Sequence, residues 1–257
     1  MIAIRRSPIL EHFPGKFKEF SRKMREKMKV CAVICELNPL HKGHQALFAH
    51  AKSRFGGLVC VLSGNFVQRG EPAILDKWAR ARLALESGAD LVLELPLPWA
   101  LAGAERFAAG GVALARALGC GESLLFGSEE GEIQPLWQLA RALLSPEFPQ
   151  ALQQVDATLP FARRRQRAAA HLVGEETAAL LEKPNCILGV EYLKPILSQG
   201  GGLKAETFPR QGAGHDMPDP QGPILSASQA RELLRQGAEL TGRLPQATLS
   251  LWEELRA

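Results

Sequence analysis

Residues 29–50 read KVCAVICELNPLHKGHQALFAH, and the change of pattern inside this stretch decides the fold. Val30 to Ile34 is a short, unbroken apolar run rich in β-branched residues, which marks a strand buried on both faces in a parallel sheet. Asn38-Pro39 ends it, because Pro39 has no N–H for a ladder, and Leu47, Phe48 and Ala51 then follow at helical spacing. His41 and His44 therefore fall at the carboxyl edge of a strand, where a helix begins and where open α/β sheets bind ligands.

A helix amino terminus offers unpaired N–H groups and partial positive charge, and Gly43 removes the side chain that would hold a phosphate away from the backbone. Two imidazoles three apart, with Lys42 between them, add donors. Adenylyl transfer asks a protein mainly for donors aimed at the charge developing on the α-phosphate and the departing pyrophosphate. The turn resembles the His-x-Gly-His signature of the nucleotidyltransferases that share their fold with class I tRNA synthetases. Cys31, Cys35, His41 and His44 also invite a zinc reading, but four residues of strand span about 13 Å. That is too far for both sulfurs to lie about 2.3 Å from one ion, so no metal site is expected.

At 257 residues, 46% hydrophobic and 23% charged, the chain can bury one sizeable core. No apolar run approaches the roughly 20 residues of a membrane span, and five irregularly placed cysteines read as buried thiols in a cytoplasmic protein. The net charge of +4 is concentrated in residues 1–27, where eight Lys/Arg outnumber three Glu, so residues 28–257 come to −1. That basic leader lacks the apolar core of a signal peptide and is expected to be a disordered or non-native extension, with a basic nucleic-acid arm as the alternative.

Further strands are expected at 57–62, 91–94, 123–126 and 203–208, joined by helices in right-handed crossovers. Asp76 reads as the N-cap of a helix carrying Lys77, Arg80 and Arg82 on its polar side and Trp78, Ala81 and Leu85 on the other. Gly127, after the strand at 123–126, is a second place for backbone to approach a nucleotide. From 133 to 181 the periodicity is helical, broken at Ser145-Pro146 and Leu159-Pro160, and reads as a helical insertion. Within it Arg163, Arg164, Arg165 and Arg167 occupy little more than one turn and cannot all face one way, so the patch is either a phosphate contact or a solvated face. Pro184 starts a further helix with Asn185 in its first turn, Pro209 to Asp216 forms a polar segment at the sheet edge, and Ser226 is an ordinary N-cap. The division is thus a leader (1–27), an adenylation domain (28–240) and a short tail (241–257).

The series NPLHKGH, SGNFVQRGEPAILDKWARARLAL, GADLVLELP, LLFGSEEG, KPNCILGVEYLK, R-x-GAGHD and SASQAR, in that order, resembles the tRNA(Met) cytidine acetate ligase family. The resemblance implies an α/β, Rossmann-like parallel sheet with a helical insertion. It also implies a ligase that activates acetate with ATP, magnesium accompanying the nucleotide, and passes the acetyl group to N4 of the wobble cytidine of elongator tRNA(Met). Carried over by position, His41 and His44 are catalytic. The ATP site comprises Ile34, Cys35, Glu36, Leu37, Asn38, Pro39, Leu40, His41, Lys42, Gly43, His44, Gln45, Ala46 and Leu47, completed by Gly127, Asn185 and Arg210, and the Ser226 helix start faces the leaving phosphates. Arg163, Arg164 and Arg167 are the candidates for tRNA contact. Cys35, Leu37 and Cys186 depart from the family's usual residues, and the family's further carboxyl-terminal domain is expected to be lacking. Two alternatives stay open: a nucleotidyltransferase for another small acceptor, and a nucleotide- or RNA-binding module without catalysis.

Overall fold

The structure, a computed structural model, describes residues 2–4, 29–119, 121–200, 202–210 and 225–256. Five parallel strands, β2 (Val30–Cys35), β3 (Gly57–Ser63), β4 (Leu91–Leu95), β5 (Gly121–Ser128) and β6 (Lys204–Pro209), lie in the order β4-β3-β2-β5-β6. Each expected strand is present, β2 to β5 lengthened by one to four residues and β6 shifted by one. The chain steps outward from β2 through β3 to β4, then crosses back to place β5 on the other side of β2. The point where the strand order reverses is therefore the gap between the carboxyl ends of β2 and β5.

An edge strand that the sequence pattern does not announce, β1 (Ile2–Ile4), pairs antiparallel with β4, Ile2 opposite Leu93 and Ile4 opposite Leu91. The rest of the basic leader lies outside the described residues.

Alternation along β2 builds two cores. Cys31, Val33 and Cys35 face α1 (Lys42–Arg54) and α2 (Lys77–Glu86), against Phe48, Ala51 and Ala84. Ala32 and Ile34 face the opposite layer, which contains α4 (Ala104–Ala117), α5 (Ile133–Leu144) and α9 (Pro184–Ser198). At Gly111 on α4 an added Cβ would sit 2.6 Å from Ile34 Cδ1, so the helix lies against β2 because that position has no side chain. A short α3 (Leu97–Ala100) precedes α4, the two separated by Leu101 to Gly103.

The insertion is helical as expected: α5 is followed by α6 (Phe148–Gln154), α7 (Phe161–Val173) and α8 (Glu175–Ala178). After β6 come α10 (Ala227–Arg235) and α11 (Gln246–Arg256). The last helix docks: Leu251 joins the core formed with α1 and α2, and buried Thr248 donates from Oγ1 to Leu40 O at 3.0 Å.

Helix α2 has its expected cap, with Asp76 Oδ1 accepting from the Trp78 and Ala79 N–H groups at 2.8 Å, and Ala81 is buried and Arg82 exposed as the sequence reads, but Trp78 and Arg80 have changed places. Trp78 is 60% exposed and Arg80 is fully buried. The guanidinium turns inward because three loop carbonyls need donors: Nε donates to Leu75 O at 3.0 Å, Nη1 to Glu36 O at 2.5 Å and Nη2 to Gly64 O. Replacing Arg80 with Ala is expected to lower unfolding free energy by at least about 3 kcal/mol in urea titrations. Arg80→Lys should recover little of this, since one ammonium cannot reproduce the planar fork.

Candidate functional site

A cavity of about 650 Å³ opens at the strand-order reversal. Its floor is the end of β2 (Ile34, Cys35) with the following Glu36, Leu37 and Asn38. Leu37 has φ +50° and Asn38-Pro39 is cis. Asn38 is locked from both sides, its Oδ1 accepting from Ile74 N at 2.8 Å and its carbonyl from Arg231 Nη1 at 2.8 Å. Glu36 Oε1 accepts from Gln68 N at 2.8 Å, tying in the loop after β3.

His41 is the N-cap of α1, and its carbonyl accepts from the N–H groups of His44 at 2.9 Å and Gln45 at 3.2 Å. The imidazoles of His41 and His44 stack with centroids 3.8 Å apart and planes inclined by 24°. A Cβ on Gly43 would stand 2.9 Å from His41 Cε1, so this glycine lets the His41 ring fold over the first turn. His44 Nδ1 accepts from His41 N–H at 3.3 Å, which leaves the proton of a neutral ring on Nε2, a donor. Both rings are held neutral: burial, helped by the nearby Arg210 charge, brings His41 down to about 4, and burial, His41 and Arg210 push His44 well below the ordinary histidine value.

Opposite lies the start of α10. Ser226 and Gln229 form a reciprocal capping box, Gln229 N donating to Ser226 Oγ at 3.2 Å and Ser226 N to Gln229 Oε1 at 2.9 Å. Ser226, Ala227, Ser228 and Arg231 all line the cavity. Two helix amino termini, those of α1 and α10, thus converge on one space, an arrangement suited to a phosphate chain. The start of α9 is spoken for: Glu129 accepts from Asn185 N at 3.0 Å, Asn185 Nδ2 at 2.7 Å and Cys186 N at 2.9 Å. Burial works to raise Glu129, but these bonds overcome it and hold the carboxylate ionised below its ordinary range. Asn185 Oδ1 in turn accepts from Arg210 Nη1 at 2.6 Å, beside Gly127.

Of the sequence candidates, Ile34 to Asn38, His41, Gly43, His44, Leu47, Gly127, Asn185 and Arg210 line this one cavity. Pro39, Leu40, Lys42, Gln45 and Ala46 do not: Pro39 and Leu40 are buried beneath the turn, Gln45 is exposed, and Lys42 Nζ bonds Gly242 O on the approach to α11. Residues 211–216 of the polar segment after β6 lie outside the described residues. Cys35 meets Cys60 of β3, sulfur to sulfur at 3.0 Å, and not Cys31, whose thiol burial pushes up to about 12. Cavity residues that sequence reasoning missed include Gln68, Ala104, Phe107, Phe126, Leu188 and Tyr192. The spacing of Asn185, Leu188 and Tyr192, one helix face, is the signal that could have found the last of them.

The arginine patch separates. Arg163 is exposed and pairs with Glu182 at 2.5 Å, and Arg167 is exposed. Arg164 is half-buried and donates to Leu152 O at 3.3 Å, while Arg165 pairs with buried Glu191. The basic residues of α2 add no free cationic face: Arg80 is buried, Lys77 pairs with Glu94 at 2.8 Å, and Arg82 pairs with Glu86 at 2.9 Å.

The family model described as HIGH Nucleotidyl Transferase matches residues 28–257. This chain belongs to the HIGH nucleotidyltransferase family. It is 40% identical over 239 residues to the tRNA(Met) cytidine acetate ligase of Syntrophotalea carbinolica, covering 90% of this chain and 56% of the relative. To the protein of that name from Caldanaerobacter subterraneus it is 37% identical over 236 residues, covering 88% and 58%. The crystal structure of Thermotoga maritima TmcAL bound with alpha-thio ATP superposes with a TM-score of 0.81 at 35% identity, covering 88% of this chain and 56% of that one. The chain therefore spans somewhat more than half the length of the curated relatives it matches.

As a HIGH nucleotidyltransferase whose signature histidine is buried and neutral, the chain has a defined pH signature. The unfolded His41 takes a proton near pH 6.5 and the folded one only near 4. This contribution to stability is complete above pH 6.5 and is lost as pH falls toward about 4. Urea titrations at stepped pH should show that slope in the parent protein and a shallower one in His41→Asn.

Proposed function

We propose that this chain activates acetate with ATP and delivers the acetyl group to the wobble cytidine of elongator tRNA(Met). The observation that carries the first half is the convergence of two helix amino termini, the stacked neutral histidines and Arg210 on one cavity at the strand-order reversal. A carboxylate oxygen of acetate forms a bond to the α-phosphorus of ATP as the bond to pyrophosphate breaks. His44 Nε2–H and the free N–H groups at the start of α1 meet the charge that builds on the phosphate oxygens. Being fixed before reaction, they need no reorganisation. The start of α10, with Ser226, Ser228 and Arg231, receives the departing pyrophosphate. Arg210, held by Asn185, clamps the nucleotide at the mouth.

Magnesium enters as the counter-ion of ATP. Among the described residues no three His, Cys, Asp or Glu side chains cluster to hold a metal, so no step is assigned to a protein-held ion. In the second half the N4 amine attacks the acyl carbon, the bond to AMP breaks and the amine proton leaves to solvent. Arg163 and Arg167, exposed on α7, are the cations we assign to RNA phosphate. Arg164 contributes less, because its guanidinium is already committed to Leu152 O. A tRNA substrate makes the reaction cytoplasmic. Among the described residues no helix is long and apolar enough to cross a membrane.

Acetate-dependent exchange of labelled pyrophosphate into ATP tests the first half, and His44→Ala should lower its rate by about 10² or more with an unchanged circular-dichroism spectrum. Full exchange in that variant would remove His44 from the mechanism. Arg210→Ala should instead weaken ATP binding in calorimetry. For the second half, replacing Arg163 and Arg167 with Ala should weaken tRNA binding and reduce the slope of log K against log salt by roughly one to two units. Exchange should stay unaltered, and an unchanged salt slope would make α7 a solvated face.

A further inference from the structure

Helix α9 presents Asn185, Leu188 and Tyr192 to the cavity on one face. Asn185 stands at the mouth with Arg210, and Tyr192, seven residues on, lies about 10 Å further along the helix. At this deeper end the polar lining gives way to Ala104 and Phe107 of α4, Phe126 of β5 and Leu188. Tyr192 is 2% exposed, its ring packed against Phe126 with centroids 5.5 Å apart, and its hydroxyl has no hydrogen-bond partner among the described residues. Buried polar groups are normally paired, so a phenol kept unpaired on a cavity wall points to a partner that the ligand supplies.

The character of that partner follows from what surrounds the hydroxyl. Burial, with Cys35 and Glu36 nearby, raises the Tyr192 pKa well above its ordinary value, so the phenol donates and does not ionise. Gln68, whose backbone is tied to Glu36, has its Nε2 buried in the same cavity without a partner, a second donor. Burial also pushes the neighbouring Glu36 carboxyl upward. Two unpaired donors beside a short apolar wall fit a small carboxylic acid.

We infer that Tyr192 with Gln68 forms the acyl subsite, in which the phenol donates to the carboxylate oxygen that does not attack phosphorus while Phe107 and Phe126 stop chains longer than two carbons. The inference rests on the adenylation reading and assigns it a specificity-determining residue. No proton leaves Tyr192 in the step; the attacking oxygen gains the phosphorus bond and pyrophosphate carries away the electron pair.

The test is pyrophosphate exchange with formate, acetate, propionate and butyrate, by the parent protein, Tyr192→Phe and Phe107→Ala. Tyr192→Phe removes one oxygen from a packed ring and should fold. It should raise the acetate KM by at least about tenfold while the ATP KM stays within about twofold. The parent should discriminate against propionate by about tenfold or more, and Phe107→Ala should relax this. Should Phe107→Ala fail to fold, Leu188→Ala, on a half-buried part of the same wall, replaces it and should relax the same discrimination. An unchanged acetate KM in folded Tyr192→Phe, or an unchanged acid preference in the folded wall variant, overturns the subsite while leaving adenylation standing. A parent protein that exchanges pyrophosphate with none of the acids overturns the adenylation reading and the subsite with it.

Discussion

Arg80 has no accessible surface, and what meets its charge is three carbonyl oxygens, from Glu36 after β2, Gly64 after β3 and Leu75 before α2. Each carbonyl belongs to a loop that must leave the sheet at its carboxyl edge, where strand ladders no longer satisfy the backbone. A planar group with five N–H donors can serve three such oxygens at once, which an ammonium or an amide cannot. Burial lowers the Arg80 pKa, the mark of a desolvated charge. The cost of that desolvation is offset by loops fixed in one arrangement. Because Glu36 then receives Gln68 and Asn38 receives Ile74 and Arg231, the cavity floor is rigid before any ligand arrives.

On this frame the charges are distributed with little waste. Of the helix starts around the cavity, α9 is met by the Glu129 carboxylate, while α1 and α10, capped by neutral side chains only, keep their positive ends for a ligand. Neutral histidines suit such a place. Cationic rings would add charge already supplied by Arg210 and Arg231, and two stacked imidazolium ions would repel, whereas neutral rings donate from fixed positions. The same burial that keeps them neutral leaves His41 Nδ1 without a partner.

Strand positions were legible because burial on both faces writes an unbroken apolar run, and the insertion because Pro146 and Pro160 mark its breaks. The histidine turn was legible for a similar reason, a glycine and a proline at positions where backbone geometry demands them. Helix α2 was misread because its burial is not set by periodicity: the demand of three distant carbonyls outweighs the polarity of arginine, and Trp78 is displaced to solvent. Tyr192 and Phe107 escaped because an aromatic side chain on a helix normally means core. Only the meeting of α4, β5 and α9 turns those rings toward a cavity.

Thr248 reaches Leu40 across 208 residues of chain, and Arg231 reaches Asn38 across 193. The histidine turn leaves the ribosome first, and the contacts that press it into place from beneath and from across the cavity are supplied by residues made long after it. Closing loops of that length is slow relative to pairing β2 with β3, which requires a connection of only about twenty residues. A nascent chain therefore carries its signature sequence, and much of its sheet, well before it has a place to bind a nucleotide, and it acquires that place only once α10 and α11 have been made.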